Sequence, residues 1–223
     1  VRNYWAEVVL YEWDSVEIVL AGDDRAKFDS VHELARDVRL HGYYGGIRLI
    51  KATIKRFVEH CKGRALPLHD RKFSIRYHTN IPRQVGLAGS SAIITATLRC
   101  LMEFYAVDVP LVIQPSLVLS VERDELRVAA GLQDRVAQTY EGLVYMDLGA
   151  EHERQLHKLR YYQYEPLDPA LLPPLYLAYH HGFSEPTEVF HNDAQERFRR
   201  GDADVVNGMR RVADLAASAR QVL

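Results

Sequence analysis

The run Gly86-Leu87-Ala88-Gly89-Ser90-Ser91 stands immediately before a stretch in which Ile94, Leu98, Leu101, Met102 and Tyr105 recur at helical spacing. Glycines and serines there leave unpaired backbone N–H groups, at the positive end of a helix dipole, where a phosphate can come close. The same residues also make an ordinary helix cap, since serine and glycine are both common before a helix. Further along, Glu122-Arg123-Asp124-Glu125 is a run of charges on a second helical stretch, readable as a solvated face. Asp134 and Arg135 open a third, where an acid suits the dipole and an arginine can pair at the surface. Taken singly, each feature reads either as chemistry or as routine helix punctuation.

Other elements must hold these residues in place. Tyr4 to Leu10 and Val16 to Leu20 are rich in β-branched and aromatic residues, and Glu12-Trp13-Asp14-Ser15 between them predicts a hairpin. A helical region is expected from Ser30. Gly42 to Gly46 then opens a helix with Ile47, Ile50, Ile54, Phe57 and Val58 on one face and Arg48, Lys51, Lys55 and Arg56 around the rest. Phe73 to His78 alternates as a half-buried strand. Helices follow from Ser91, from Ser116 to about Arg127 with Leu119, Glu122 and Leu126 near one face, and from about Leu132 to Tyr140. Leu143 to Leu148 reads as a strand, and so does Leu175 to Tyr179 after the Leu172-Pro173-Pro174 break. The intervening stretch reads as a lobe boundary. Glu188 to Arg200 and a helix through Val205, Met209, Val212 and Leu215 close the chain.

Composition narrows the function. With 223 residues, 48% hydrophobic and 26% charged, the chain suits a folded protein of one large or two modest domains. The net charge of −2, from 28 basic and 30 acidic residues, leaves no electrostatic footprint for nucleic acid or an anionic membrane. No apolar run approaches the ~20 residues that span a bilayer. Cys61 and Cys100 lie in helical segments and read as reduced thiols, which favours a cytoplasmic setting. His180 and His181 are adjacent on a strand pattern, so they face opposite sides and do not make a metal site. The opening Val1-Arg2-Asn3-Tyr4-Trp5 is neither a signal nor a transit peptide, and the chain is expected to begin in mid-domain.

The run Ile81-Pro82-Arg83-Gln84-Val85-Gly86-Leu87-Ala88-Gly89-Ser90-Ser91-Ala92 resembles the second motif of the GHMP kinases, Pro-x-x-x-Gly-Leu-Gly-Ser-Ser-Ala, with one extra residue. The stretch from Val128 through Gly131-Leu132-Gln133-Asp134-Arg135 to Asp147 resembles the glucuronate 1-kinase branch of that family. The resemblance implies an α+β, two-lobe fold. Residues 1–165 would form the nucleotide- and phosphate-binding N-terminal lobe, and residues 166–223 part of a ferredoxin-like C-terminal lobe. It implies ATP and Mg2+ as cofactors, a sugar or sugar acid as acceptor, and no nucleic-acid or membrane partner.

Site roles follow from the same resemblance. Gly86, Leu87, Ala88, Gly89, Ser90 and Ser91 would cradle the nucleotide phosphates. Asp134 would lie beside the acceptor hydroxyl as base or electrostatic partner. Phosphoryl transfer needs such a group because the acceptor must be oriented in line and lose its proton while a cation neutralises the moving charge. Glu122 and Ser91 would bind magnesium, which takes few protein oxygens, with Glu125 as the alternative to Glu122. Arg135 would counter phosphate charge or bind a sugar carboxylate, with Arg127 as second candidate for the latter, and Ser184 and Thr187 would lie near the substrate. The expected reaction is phosphorylation of the anomeric hydroxyl of a uronic acid such as D-glucuronate. The alternatives are another acceptor (a heptose phosphate, arabinose, galactose or mevalonate) and a nucleotide- or sugar-binding module without turnover. The family's first and third motifs would lie before the opening strand and beyond Leu223, so a piece of a longer kinase is expected.

Overall fold

Phe73, Ile75 and Tyr77 alternate along one strand and are all buried, which makes that strand the middle of the main sheet. The computed structural model describes residues 3–19, 45–82, 85–179 and 187–223, the side chains of 187–192 excepted. The readings at 20–44, at Arg83 and Gln84, and at 180–186, including the helix from Ser30, His180, His181 and Ser184, lie outside the described residues. In the sheet, β1 (Ala6–Trp13) pairs antiparallel with β3 (Lys72–Thr79), from Ala6 opposite Thr79 to Trp13 opposite Lys72. On the other side of β3, β2 (Glu17–Ile18) runs parallel, with Glu17 opposite Ser74.

This order overturns the expected hairpin. β3 separates the two strands, and the intervening residues carry the chain around its end. A tight hairpin asks for Gly or Asn at positive φ, and Glu12-Trp13-Asp14-Ser15 offers neither. The buried Ser74 hydroxyl donates to Glu17 Oε2 at 3.0 Å, tying β2 to the central strand.

Two helices cover this sheet. α1 (Gly46–Gly63) buries Leu49, Ile50, Phe57 and Cys61, while Val58, assigned to the same face, is 42% exposed. α2 (Gly89–Tyr105) buries Ile93, Ile94, Leu98 and Leu101, the helical spacing read from the sequence. Each such aliphatic or aromatic side chain contributes about 1.5–3 kcal/mol by leaving water. A 3-10 turn (Leu111–Ile113) leads into α3 (Gln114–Ser120), which passes directly into a π-helical turn at Val121–Glu125. α4 (Gln133–Tyr140) follows and packs beside α2 and α3.

β4 (Leu143–Asp147) pairs antiparallel with β7 (Gln163–Leu167), and between them β5 (Arg154–Leu156) and β6 (Leu159–Tyr161) form a hairpin. His157 and Lys158 turn that hairpin with φ of 51° and 67°, as a type I′ turn requires. The stretch read as a lobe boundary contains these strands, and residues 165 and 166 lie in β7. The strand expected at Leu175 to Tyr179 is absent: this segment is irregular, with Tyr176 96% exposed. Two helices end the chain, α5 (Thr187–Arg199) and α6 (Ala203–Val222), the latter with Met209, Val212 and Leu215 exposed.

Candidate active site

The N-terminus of α2 is built from a loop with two left-handed residues, Gly86 at φ 75° and Ala88 at φ 55°. Glycine takes that conformation freely; alanine does so at a cost. Ala88 is also the residue that caps α2, and no side-chain oxygen caps the helix in its place. There is no acidic residue in the first turn itself, and the carboxylate that reaches the positive end of the dipole is that of Glu122, from another element. Three donors converge on the Ala88 carbonyl: Ala92 N–H at 3.1 Å, the Ser91 hydroxyl at 3.0 Å and Gln138 Nε2 at 2.9 Å.

The serines divide their work. Ser91 is buried and its hydroxyl turns back to Ala88, whereas Ser90 is exposed and donates to Glu122 Oε1 at 2.8 Å. The serine brought to the acidic side chain is thus Ser90, not Ser91. Leu87 is half-buried and Gly86 exposed.

Glu122 is 1% exposed although its neighbours Arg123 and Asp124 are in solvent. It sits in the π-helical turn, where Leu126 N–H donates to the Val121 carbonyl and Val128 N–H to that of Glu122. One extra residue per turn rotates the chain, and such turns recur at functional sites. Glu125 faces the other way, with its carboxylate 2.6 Å from Lys55 Nζ and 3.8 Å from an Arg56 nitrogen on α1. Of the two acids considered for magnesium, only Glu122 reaches the loop.

Arg135 is buried, and its guanidinium joins the site's two carboxylates. Nε donates to Glu122 Oε2 at 2.6 Å and Nη2 donates to the same oxygen; Nη1 donates to Asp134 Oδ2 at 3.0 Å and to the Gly131 carbonyl at 3.1 Å. A sugar carboxylate or a phosphate was the expected partner, and the structure gives Arg135 protein partners instead. Arg127, the second candidate, is exposed at φ 58° just past the π turn. The Asp134 side chain is half exposed, so its carboxylate keeps contact with solvent beside the Arg135 pair. Thr187 opens α5, and its side chain is outside the described residues.

Gln138 was given no part by the sequence reading, although it lies four residues from Asp134 and so shares its helix face. That spacing was the available signal. Glu122 and Ser90 form an oxygen-only pair at the mouth of a helix N-terminus, a donor set that fits a hard divalent cation shared with phosphate. No cluster of three or more His, Cys, Asp or Glu side chains suited to a metal occurs among the described residues.

Residues 48–142 match the family model described as the GHMP kinases N terminal domain, and every site residue from Gly86 to Gln138 lies within that stretch. Over that stretch the chain is similar to the GHMP kinases. It is 42% identical to Glucuronokinase 1 of Arabidopsis thaliana over 228 residues, covering 100% of this chain and 61% of that protein. It is 41% identical to Probable glucuronokinase 2 of the same plant over 227 residues, again covering 100% and 61%. The chain thus spans 61% of the length of these curated relatives. A solved structure of a D-glycero-D-manno-heptose 1-phosphate kinase from Bacteriodes thetaiotaomicron matches with a TM-score of 0.48 and 22% identity, over 65% of this chain and 44% of that one. The matched stretch holds the loop before α2, the buried Glu122 and Asp134 together, while β4 to β7, α5 and α6 follow it.

Proposed function

We propose that this protein transfers the γ-phosphoryl group of ATP to the anomeric hydroxyl of a uronic acid, D-glucuronate being the foremost candidate, to give ADP and the sugar 1-phosphate. The observation that carries this reading is the continuous chain of contacts from Ser90 through Glu122 and Arg135 to Asp134, which ties an open helix N-terminus to a half-exposed carboxylate. The acceptor class is drawn from the 42% identity to a glucuronokinase.

In this reading the N–H groups at the start of α2 receive the nucleotide phosphates, with Gly86 and Ala88 shaping the approach. Asp134 orients the acceptor hydroxyl and takes its proton or its developing positive charge; an anomeric hydroxyl is relatively acidic, which eases that demand. Arg135 holds the Asp134 carboxylate from one side and leaves the other for the acceptor. Ser90 and Glu122 are the residues that would hold magnesium, with Ser91 acting inside the loop. Magnesium, when bound, neutralises charge on the phosphate oxygens. Cys61 and Cys100 are free thiols, which supports a reducing, cytoplasmic setting. Among the described residues no helix is long and apolar enough to cross a membrane.

The test is an ADP-release assay on the full-length protein with magnesium, offering glucuronate, galacturonate, galactose, arabinose, a heptose phosphate and mevalonate, with the product identified by phosphorus NMR. Turnover on glucuronate to the 1-phosphate is expected, falling by about 10²–10⁴-fold in Asp134→Asn. Turnover on another acceptor alone would overturn the uronic-acid assignment, and turnover on none would sink the kinase reading.

A further inference from the structure

The phosphate loop contains one residue more than its family motif, and the structure places that residue, Ala88, in the left-handed region at φ 55° and ψ 35°. A non-glycine residue held there stores strain and stays only where its surroundings over-determine it. Here the constraint comes from the neighbouring helix α4. Gln138 on α4 sends its amide Nε2 to the Ala88 carbonyl at 2.9 Å, while its Oε1 accepts from the Thr95 hydroxyl of α2 at 3.5 Å. A carbonyl can only accept, so the NH2 end of the amide must face Ala88.

The geometry points to Gln138 as a positioning residue that latches the enlarged phosphate loop to the helix bearing Asp134. The inference rests on the kinase reading above. Asp134 and Gln138 are four residues apart on one face of α4. A single helical turn therefore spans from the carboxylate beside the acceptor to the hydrogen bond that fixes the loop. The other two donors to Ala88, Ala92 N–H and the Ser91 hydroxyl, belong to α2 itself and cannot register it against α4. Ser90 through Glu122 and Arg135, and Arg99 through the Gln138 and Thr139 carbonyls, still register α2 against α4, so what Gln138 adds is a direct hold on the strained residue: without it Ala88 can relax and the loop ahead of the first N–H groups loses its fixed shape.

Two variants remove the donor differently: Gln138→Leu keeps the bulk, and Gln138→Glu keeps the shape but turns an acceptor toward a carbonyl. Each is expected to raise the Kd for a fluorescent ATP analogue, and the KM for ATP, by about tenfold, the weight of one hydrogen bond. The KM for the acceptor should stay near that of the unmodified protein, which a general loss of folding would not spare. Ala88→Gly supplies the decisive arm, because glycine occupies the left-handed region without strain. On that background Gln138→Leu should weaken ATP by less than about threefold, a coupling expected only if the two residues act as a unit. Equal effects on both backgrounds, or no change in nucleotide Kd in either Gln138 variant, would overturn the latch. Because nucleotide Kd is read without turnover, an inactive unmodified protein would sink the kinase reading while these binding arms still decide the latch.

Discussion

Burying Glu122 at 1% exposure removes a carboxylate from water, and Arg135 is the counter-charge that makes it tolerable. Asp134 shares the same guanidinium, so one side chain holds both acids of the site. The pair brings a cost as well as a function, since a buried ion pair stabilises little over apolar packing yet is expensive to break. Arg135→Met is therefore expected to lower unfolding free energy by about 3–5 kcal/mol, because Glu122 is left charged and unpaired. Replacing both, Arg135→Met with Glu122→Met, should recover most of that loss. Urea unfolding of the three proteins checks it, and a double variant as unstable as the single one would show that the pair itself supports the fold. Glu122 and Asp134 were legible only through motif resemblance. Within the charge run from Glu122 to Glu125, ordinary helical spacing cannot say which acid turns inward, because the π-helical turn changes the register.

At the scale of elements, helices with a clear apolar period were readable and their partners were not. α1, α2 and α4 lie close to where periodicity put them, since each buries one face against the sheet or a neighbouring helix. β5 and β6 went unread because strands of three residues are too short to alternate visibly, and β7 because its Pro166 reads against a strand. The His157-Lys158 turn also lacks the glycine or asparagine that announces a hairpin. The pairing of β1 with β3 rather than β2 is likewise a matter of long-range partners, which local pattern does not contain. The seam between α1 and β3 shows how tightly such partners are specified. Gly46 N–H donates to the Tyr77 hydroxyl at 3.2 Å, and a Cβ on Gly46 would fall 2.0 Å from Cζ of that ring. Tyr77 is 5% exposed and has little room to retreat. Gly46→Ala should therefore cost about 1–3 kcal/mol by overpacking. Adding Tyr77→Leu should recover part of it, and thermal unfolding in which the double variant is no better than Gly46→Ala would place the strain elsewhere.

Over the whole molecule, the stretch that matches the family model and the segment that follows it meet where the β5–β6 hairpin docks on α1 and α3. Leu156, Leu159 and Tyr161 pack against the main core, the Ser116 hydroxyl donates to the Arg160 carbonyl, and the rings of His60 and His157 meet edge-on at 6.3 Å. That seam contains the titratable group with the clearest consequence for stability. Burial of His60, the nearby Arg64 and His157, and Arg56 on the same helix all oppose its protonated form, so its folded pKa lies below the ordinary 6.5. Its Nε2 is buried without a hydrogen-bond partner, consistent with a neutral ring. Below pH 6.5 the unfolded chain takes up a proton that the folded chain resists, and stability then rises with pH. The contribution is complete above that value and is lost as pH falls through the folded pKa. Unfolding midpoints measured from neutral to mildly acid pH should thus fall more steeply for the unmodified protein than for His60→Gln, which cannot titrate there. Parallel curves would mean that His60 takes up its proton as readily in the folded chain as in the unfolded one, and that acid reaches the molecule through other groups.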